Sequence, residues 1–371
     1  MNIANINLRL AQLRKSKMMT QQQLAELLGT SFQNISKWET GVTMPDITML
    51  PILSSIFKVS VDELLGLVPL RDELYLTEET DSAEFWDDHL DYLIRTRNGT
   101  WNPDYMNYLV RDVWKINRPV RLLDCGCGFG FLATLIMPLL PKGSTYTGID
   151  FSKSMLNKAH QVLKENNIDG TLIHGDFLNY SSETKFDIVM CKSVLRHIGN
   201  SKPYIKKMIE LASDNALIVC ADSNRELECA GLYVDGMNYG FLCEHEGAIK
   251  HWETELSNND RDYAAAMRNA YVMRELGLSD IDIRMNDKVK FVCPEQSDYD
   301  LAVDDFLAHK ESWYTDIKSS IDVLVNHGMT RTEAEKYVYK SKDICDYIRT
   351  HKGEVSFTVF KGETISFGWK R

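Results

Sequence analysis

Between residues 120 and 222, short apolar segments alternate with stretches of helical periodicity, and this alternation limits the possible folds more than any other feature. The segments that read as strands are VRLLD at 120–124, TYTGID at 145–150, TLIH at 171–174, DIVMC at 187–191 and ALIVCAD at 216–222. Such alternation predicts an α/β, Rossmann-like fold, in which a parallel sheet carries helices on both faces. Ligands bind these sheets at the carboxyl ends of the strands, where the strand order reverses.

The first strand leads into a glycine-rich loop, RLLDCGCGFG at 121–130. Its glycines, Gly126, Gly128 and Gly130, are spaced G-x-G-x-G, whereas dinucleotide-binding loops have G-x-G-x-x-G. Phe131 also stands where those loops need a small residue for close packing of helix and strand. The loop is therefore predicted to bind a ligand other than a dinucleotide.

Acidic residues mark the ends of the first three strands. Asp124 precedes the glycine loop, Asp150 ends the second strand, and Asp176 follows the third. Together with the loop, these residues resemble the class I S-adenosylmethionine-dependent methyltransferases over roughly residues 119–371. The resemblance implies a seven-stranded, mostly parallel sheet with helical insertions, and S-adenosylmethionine as the cofactor. A sulfonium ligand also suits an acidic pocket better than a phosphate does.

The same resemblance implies which residues contact the cofactor. Asp124 is expected near the methionine amino group. Asp150 is expected to accept from the ribose hydroxyls, with Phe151 against the adenine, and Asp176 with Phe177 to read the adenine edge. The full implied set is Trp101, Asp124, Gly126, Cys127, Gly128, Gly130, Asp150, Phe151, Met155, Asp176, Phe177, Lys192, Ser193 and His197.

The segment FDIVMCKSVLRHI at 186–198 matches the fourth-strand motif of that family, which implies that Lys192, Ser193 and His197 lie over the transferred methyl group. His197 is a candidate general base, because imidazole titrates near neutral pH. The alternative is that His197 only lines the site. The segment has neither the D/N-P-P-Y/F tetrapeptide nor the Pro-Cys nucleophile of DNA methyltransferases, so methylation of DNA is disfavoured.

Two sets of potential metal ligands are weak. Cys125 and Cys127 in the glycine loop have no further ligands at a suitable spacing. His245 and His251, in CEHEGAIKHW, are a single pair, and a solvated lid helix is the favoured interpretation. We therefore predict no metal site.

The first 66 residues carry five short amphipathic segments. Their apolar stripes are Ile6, Leu10 and Leu13; Leu24, Ala25 and Leu28; Ile35 and Trp38; Ile47, Leu50 and Leu53; and Val61, Leu64 and Leu65. In TQQQLAELLGTSFQNISKWETG, Thr20 is predicted to cap one helix and Gly29 to end it, before a second helix starts at Thr30-Ser31. Two helices joined by a tight glycine turn form a helix-turn-helix.

This segment closely resembles the Cro/C1-type (XRE) helix-turn-helix family, through T-Q-x-x-L-A at 20–25, I-S-x-W-E-x-G at 35–41 and Pro45. The resemblance implies that the helix from Ser31 to Thr40 enters the major groove of DNA. The implied DNA contacts are Phe32, Gln33, Asn34 and Lys37 at base edges and Gln21 and Ser36 at phosphates. Such side chains suit adenine edges and thymine methyl groups. The alternative is a domain that serves only in dimerisation or protein contacts.

Charge is unevenly distributed within the net charge of −11. Residues 1–66 hold six basic and five acidic residues, whereas the remainder holds 36 basic and 48 acidic residues. An acidic body is poorly suited to a phosphate backbone, so any nucleic-acid contact is expected in the first 66 residues. Because a single helix-turn-helix domain with little net charge contacts few bases, we predict a homodimer that binds a palindromic operator.

A chain of 371 residues is long enough for two domains. The predicted parts are a helix-turn-helix domain at 1–68, a linker at 69–82, a helical lead-in at 83–118 and a methyltransferase domain at 119–371, with lid insertions at 224–275 and 299–350. A further strand is predicted at 281–293, and the alternation of Val355, Phe357 and Val359 predicts a closing hairpin or last strand. The absence of a long apolar run and the scattered cysteines predict a cytoplasmic protein.

The favoured function is transfer of a methyl group from S-adenosylmethionine to a small-molecule acceptor, in a chain that also regulates transcription. One alternative is a regulator whose methyltransferase fold senses the cofactor or a metabolite without turnover. Another is a methyltransferase that acts on protein or RNA, although the acidic body disfavours RNA.

Overall fold

The computed structural model describes residues 8–16, 19–57, 59, 61–66, 100–245, 247–258, 261–311 and 316–371. The chain divides into two units, Met1–Tyr75 and Leu76–Arg371. The predicted linker at 69–82, residues 83–99 of the predicted lead-in, and the predicted core residue Ile6 lie outside the described residues. No described helix has the length and apolar character that a membrane crossing needs.

The described part of the first unit consists of short helices. They are α1 (Leu10–Ser16), α2 (Gln21–Leu28), α3 (Phe32–Glu39), α4 (Met49–Phe57) and α5 (Val61–Leu64). Thr20 caps α2, since its hydroxyl accepts the Gln23 N–H while the Gln23 side chain accepts the Thr20 N–H. Gly29 ends α2 with a left-handed φ of 63°, and Ser31 caps α3. The predicted helix-turn-helix is confirmed at these boundaries.

A small core and one buried ion pair hold this unit together. The core is formed by Leu10, Leu13, Leu24, Ala25, Leu28, Ile35, Trp38, Leu53, Phe57 and Leu64. Arg14 on α1 donates to both carboxylate oxygens of Glu39 on α3, and Gln21 on α2 donates to the same carboxylate at 2.8 Å. The prediction that Ile47 joins this core is wrong: Ile47 is 78% exposed, because it lies in the turn before α4.

The second unit is built on a central sheet. Its strands are β1 (Arg121–Cys125), β2 (Thr145–Asp150), β3 (Gly170–His174), β4 (Phe186–Lys192), β5 (Ala212–Ser223), β6 (Leu232–Val234), β7 (Ser279–Met285), β8 (Val289–Val292), β9 (Phe357–Phe360) and β10 (Glu363–Trp369). Seven of them form one sheet in the order β3-β2-β1-β4-β5-β10-β7. Strands β1 to β5 are parallel, and β10 is antiparallel to both of its neighbours. The predicted seven-stranded, mostly parallel sheet is confirmed.

Helices cover this sheet and form the insertions. They are α6 (Pro103–Tyr108), α7 (Phe131–Ile136), α8 (Lys153–Glu165), α9 (Lys202–Leu211), α10 (Arg225–Ala230), α11 (Tyr239–Cys243), α12 (Ala248–Ser257), α13 (Ala265–Glu275), α14 (Tyr299–Glu311), α15 (Ile317–Asn326) and α16 (Arg331–Thr350), with short 3-10 or π turns at Leu109–Val113, Met137–Leu139, Phe177–Asn179 and Leu195–His197. Ahead of β1, Trp101, Met106, Leu109 and Trp114 are buried in the core of the sheet. The strand order reverses between β1 and β4, which places the expected ligand site at their carboxyl ends.

Two predictions about the C-terminal part are wrong. The single strand predicted at 281–293 is two strands, β7 and β8, because Asn286 turns the chain between them by accepting the Lys288 N–H. The segment around Phe357 forms no hairpin with β10. Instead β9 pairs with β6 and β8 in a separate three-stranded sheet, and Phe357 packs in the core that α14 and α16 share. Of the two strands β9 and β10, only β10 joins the central sheet.

Candidate functional site

Backbone hydrogen bonds fix the glycine loop between β1 and α7. The N–H groups of Gly126 and Cys127 both donate to the Ile149 carbonyl on β2, at 2.9 and 3.0 Å. Gly126, Gly128 and Gly130 have positive φ angles of 73°, 52° and 83°, which residues with a Cβ seldom adopt. The loop is therefore a tight turn whose shape depends on its glycines.

Asp150 braces this loop from the end of β2. Its Oδ2 accepts the Gly128 N–H at 2.7 Å, and its Oδ1 accepts the Ser152 N–H at 2.9 Å. Burial raises the pKa of Asp150, although these backbone donors oppose the rise. Each carboxylate oxygen has a further lone pair, so the predicted contact with ribose hydroxyls can form without breaking the brace.

Asp124 is a buried carboxyl at the end of β1. Tyr146 donates its hydroxyl to Oδ2 at 2.8 Å, whereas Oδ1 has no hydrogen-bond partner among the described residues. Burial raises the pKa of Asp124 to about 7, the Tyr146 hydrogen bond opposes the rise, and the charges of Asp150 and Lys192 act in opposite directions. Because buried polar atoms are nearly always paired, the open oxygen indicates a place for a ligand donor.

A cavity of about 60 Å³ lies at the loop. It is lined by Asp124, Gly126, Cys127, Gly128, Phe129, Phe131, Leu132 and Lys192. The predicted cofactor residues outside this lining are Trp101, Gly130, Asp150, Phe151, Met155, Asp176, Phe177, Ser193 and His197. Pockets for whole ligands usually exceed ~300 Å³, so this cavity accommodates one end of a cofactor.

Lys192 ends β4 as a buried cation in the wall of this cavity. Its Nζ lies 3.2 Å from Ser193 Oγ and 3.7 Å from Glu363 Oε1 on β10. The same Nζ lies 5.5 Å from the ring centre of Trp101 and 5.6 Å from that of Phe131. The Trp101 Nε1 is buried and has no hydrogen-bond partner among the described residues. Lys192 and Trp101 thus bring a positive charge and an indole donor to the same part of the site.

The end of β5 carries a buried acid, Asp222, which sequence reasoning missed. Its Oδ1 accepts the Arg196 N–H at 3.4 Å, and its Oδ2 accepts the Asn269 amide at 3.2 Å. Burial raises the pKa of Asp222 to about 7, against the effects of Arg196 and Asn269. Arg196 Nε in turn donates to His197 Nε2 at 3.2 Å. Asp222 therefore positions the turn that carries the candidate base, the half-buried His197.

The residues predicted around the adenine are engaged within the protein. The carboxylate of Asp176 accepts two donors within the turn Phe177–Asn179. Phe177 and Met155 are buried, at 3% and 2% exposure, and Phe151 is half-buried. The structure therefore gathers the residues predicted for the methionine end at one cavity, and it leaves those predicted for the adenine end satisfied by protein contacts.

The potential metal ligands identified in the sequence are separate from this cavity or unsuited to a metal. Burial raises the pKa of the Cys125 and Cys127 thiols well above their usual range, so both stay protonated. Neither belongs to a group of three potential ligands in the described chain. His251 is half-buried, with its ring centre 5.6 Å from that of His327. This contact corrects the prediction of a solvated helix around His245 and His251.

In the first unit, the side chains predicted to reach DNA lie on the outer face of α3. Those exposed or half-exposed are Phe32, Gln33, Asn34, Ser36 and Lys37. Gln21 differs, because its side-chain amide donates to Glu39 inside the domain. A phosphate contact by Gln21 would therefore use its backbone N–H at the start of α2.

Three polar residues of the site, two of them acidic, escaped sequence reasoning. Glu363 and Asp222 face Lys192 and Arg196 across strands that are far apart in the sequence. Tyr146 gave only the weak signal of a polar hydroxyl inside an apolar strand next to an acidic loop. Because their partners are set by sheet order, no local spacing identifies them.

Two family models match the chain. A model described as a helix-turn-helix matches residues 10–64. A model described as a methyltransferase domain matches residues 116–276. Both matches fall on the segments that carry the motifs found in the sequence.

Individual relatives match one half of the chain or the other. The ubiquinone biosynthesis O-methyltransferase of Rickettsia akari is 26% identical over 187 residues, which are 49% of this chain and 68% of that protein. The HTH-type transcriptional activator BcrR of Enterococcus faecalis is 43% identical over 76 residues, 20% of this chain and 35% of that protein. A solved structure of phosphoethanolamine N-methyltransferase 2 from Haemonchus contortus, in complex with S-adenosyl-L-methionine, is 14% identical with a TM-score of 0.43, and the match covers 81% of this chain and 59% of that one.

Alanine at Gly126 and at Gly128 should separate folding of the loop from ligand binding. A Cβ at Gly126 would lie 2.6 Å from Val194 Cγ2, so Gly126→Ala should lower the free energy of unfolding by ~2–3 kcal/mol. A Cβ at Gly128 meets nothing within 4 Å, so Gly128→Ala should cost only the ~1 kcal/mol of its positive φ while filling ligand space. Urea unfolding measures the difference, and equal losses would contradict this account.

Proposed function

We propose that this chain, which joins a helix-turn-helix domain to a methyltransferase domain, transfers the methyl group of S-adenosylmethionine to a small molecule and binds DNA as a transcription regulator. The observation that carries the enzymatic part is Asp124, a buried carboxyl with one unsatisfied oxygen in the wall of the glycine-loop cavity. The match to a methyltransferase domain supports the same assignment.

The cavity fits the amino-acid end of S-adenosylmethionine. The ammonium group of the cofactor needs an acceptor, which Asp124 offers, and its carboxylate needs a cation or donor, which Lys192 and Trp101 offer. Gly128 leaves space where any other residue would place a Cβ. Asp150 is the carboxylate available to the ribose hydroxyls. When bound, the cofactor supplies a methyl group already activated by the sulfonium.

Because the leaving group is activated, the protein contributes mainly positioning and exclusion of water. His197 is the candidate general base for the acceptor, since histidine is the side chain that most often serves in this role. Arg196 orients the His197 ring, and Asp222 holds the backbone of Arg196. We assign Asp222 a positioning role, because it is fully buried behind the turn.

A small hydroxylated compound is the acceptor class that we favour. Residues of the insertion reach the end of β4, where the Asp262 N–H donates to the Arg196 carbonyl at 3.1 Å. Such cover suits a small acceptor better than a macromolecule, because a large chain needs an open approach. The O-methyltransferase named for ubiquinone biosynthesis supports a hydroxyl as the group that is methylated.

The test is transfer of label from methyl-labelled S-adenosylmethionine, with the full chain and a cell extract separated into small-molecule, protein and RNA fractions. We expect label in the small-molecule fraction. His197→Ala should lower turnover by ~100-fold or more, whereas the exposed His160→Ala should have no effect. Binding without transfer would identify a sensor, and label in protein or RNA would identify a macromolecular acceptor.

Affinity for the cofactor should rise with pH around neutrality. The pKa of Asp124 is about 7, and a cationic ligand prefers the ionised carboxylate, so affinity should increase about tenfold from pH 6 to pH 8. Asp124→Asn should bind more weakly and show a flat profile. Without ligand, the stability of the fold has the opposite dependence on pH. A carboxyl group whose pKa is raised on folding stabilises the folded protein at low pH, and this stabilisation is lost as the pH rises from about 4 to the folded pKa. Calorimetry over this range is the measurement, and a flat wild-type profile would remove Asp124 from the ammonium contact.

The regulatory part of the proposal rests on the outer face of α3. Its exposed Gln33 and Asn34 have the amide groups that recognise adenine. One such helix reads few base pairs, and the weak charge of residues 1–66 adds little non-specific affinity. A homodimer on a palindromic site doubles the contacts and is the form that we propose.

Loss of the two amides should abolish sequence preference and leave methyl transfer intact. Each bidentate contact with a base contributes ~1–3 kcal/mol of discrimination, so Gln33→Ala with Asn34→Ala should select no motif from random DNA. Gln22→Ala on α2 is the control and should keep the preference. Light scattering that shows a monomer, together with no motif selected by the wild-type chain, would demote this domain to a protein-contact module.

A further inference from the structure

A second group of ligating side chains lies in the insertions, outside the lining of the glycine-loop cavity. His251 and Glu255 are four residues apart on α12, so they project from the same face of the helix. His327 follows α15, and its Nδ1 lies 2.8 Å from Glu255 Oε1. One ligand atom from each of the three residues lies within 4.8 Å of the other two. In the described part of the chain, no other group of three histidine, cysteine or acidic residues comes together in this way.

Packing holds these three residues in place. Behind them is a small core of Ala248, Ile321, Met329, Ala334 and Val338. The side chain of Glu255 is only 6% exposed, and the rings of His251 and His327 are stacked at 16°. Gly328 has a φ of 97°, and a Cβ there would clash with the Thr254 hydroxyl. Glycine at this position therefore lets the turn after α15 come close enough to α12 for His327 to reach Glu255.

Internal hydrogen bonds leave part of this cluster unsatisfied. The Nε2 of His251 lies 3.4 Å from the Tyr263 hydroxyl, but its Nδ1 is buried without a hydrogen-bond partner among the described residues. Buried polar atoms are nearly always paired in folded proteins. A cation held by the two imidazoles and the carboxylate would bind a ring nitrogen of His251 in place of these weak contacts.

We infer that His251, Glu255 and His327 bind a divalent transition-metal ion, with Zn²⁺ the ion that this ligand set suits. Two histidines and one glutamate are the ligands of zinc sites that keep a fourth position for water or another ligand. Zinc bonds of ~2.0–2.2 Å put tetrahedral ligand atoms ~3.3 Å apart. The 2.8 Å pair therefore has to open slightly and the wider separations have to close, which side-chain rotation achieves.

The site would join two separate insertions, because α12 and the turn after α15 each supply ligands. Neighbouring residues also link the site to the turn that carries His197. Tyr263 contacts His251, and the neighbouring Asp262 donates its N–H to the Arg196 carbonyl. A bound ion would thus fix a segment that contacts the turn carrying His197. Metal binding is measured without methyl transfer, so its failure is distinct from failure of the proposed function.

The direct test is calorimetric titration of the full chain with Zn²⁺ after removal of metals by a chelator. We expect one equivalent to bind. Loss of an outer-shell partner of a metal typically costs 10–100-fold in affinity, so His327→Ala and Glu255→Gln should each lose more than ~100-fold. The Glu255→Gln variant keeps the shape of the side chain and an oxygen that can accept a hydrogen bond from His327, but it removes the carboxylate charge. His245→Ala removes a nearby histidine outside the cluster and should bind like the wild type.

Two further readouts separate this site from zinc bound by cysteines and from variants that fail to fold. Zn²⁺ should raise the melting temperature of the wild type and leave that of His251→Ala unchanged, with equal circular dichroism before addition. Co²⁺ should give the visible bands of a low-coordinate site and no thiolate charge-transfer band. Absence of binding, an equivalent that survives in His327→Ala, or a thiolate band would each overturn the assignment.

Discussion

The glycine loop depends on one buried carboxylate. Asp150 accepts an N–H from Gly128 and another from Ser152, so a single side chain ties the loop after β1 to the start of α8. Hydrogen bonds to a charged acceptor contribute ~1.5–3 kcal/mol each, and the pair offsets part of the cost of burying the charge. The loop can therefore hold three positive φ angles and present Gly126 and Gly128 to the cavity.

The other charges of the site follow from that fixed loop. Asp124 and Lys192 end neighbouring parallel strands, so the sheet places opposite charges in the wall of one cavity. Glu363 accompanies Lys192 from the antiparallel β10, and the pairing gives this buried lysine a carboxylate partner. A cavity with an open carboxylate oxygen on one strand and a cation on the next suits a zwitterion.

Local patterns were sufficient to predict the strands of the sheet, the helix-turn-helix and the cap at Thr20, because each depends on residues within a few positions of one another. They failed where the outcome depends on distant partners. The alternation of apolar residues around Phe357 is compatible with a strand in the central sheet or in the three-stranded sheet. Strand β9 lies in the three-stranded sheet, where it packs in the core with α14 and α16. Likewise, Glu255 pairs with His327, which lies 72 positions further along the sequence. The short spacing of His245 and His251 therefore suggested the wrong partner for His251.

The distribution of charge is consistent with placing the proposed DNA contact and the proposed methyl transfer in separate domains. Residues outside 1–66 carry 48 acidic against 36 basic side chains, which favours a cationic cofactor and repels a phosphate backbone. The first domain is close to neutral, and its Arg14 is already paired with Glu39. Little counterion release is then available, so the proposed affinity for DNA would come from base contacts on α3 and from the second copy in the proposed homodimer. Sequence selectivity, more than charge, would bring such a chain to a promoter.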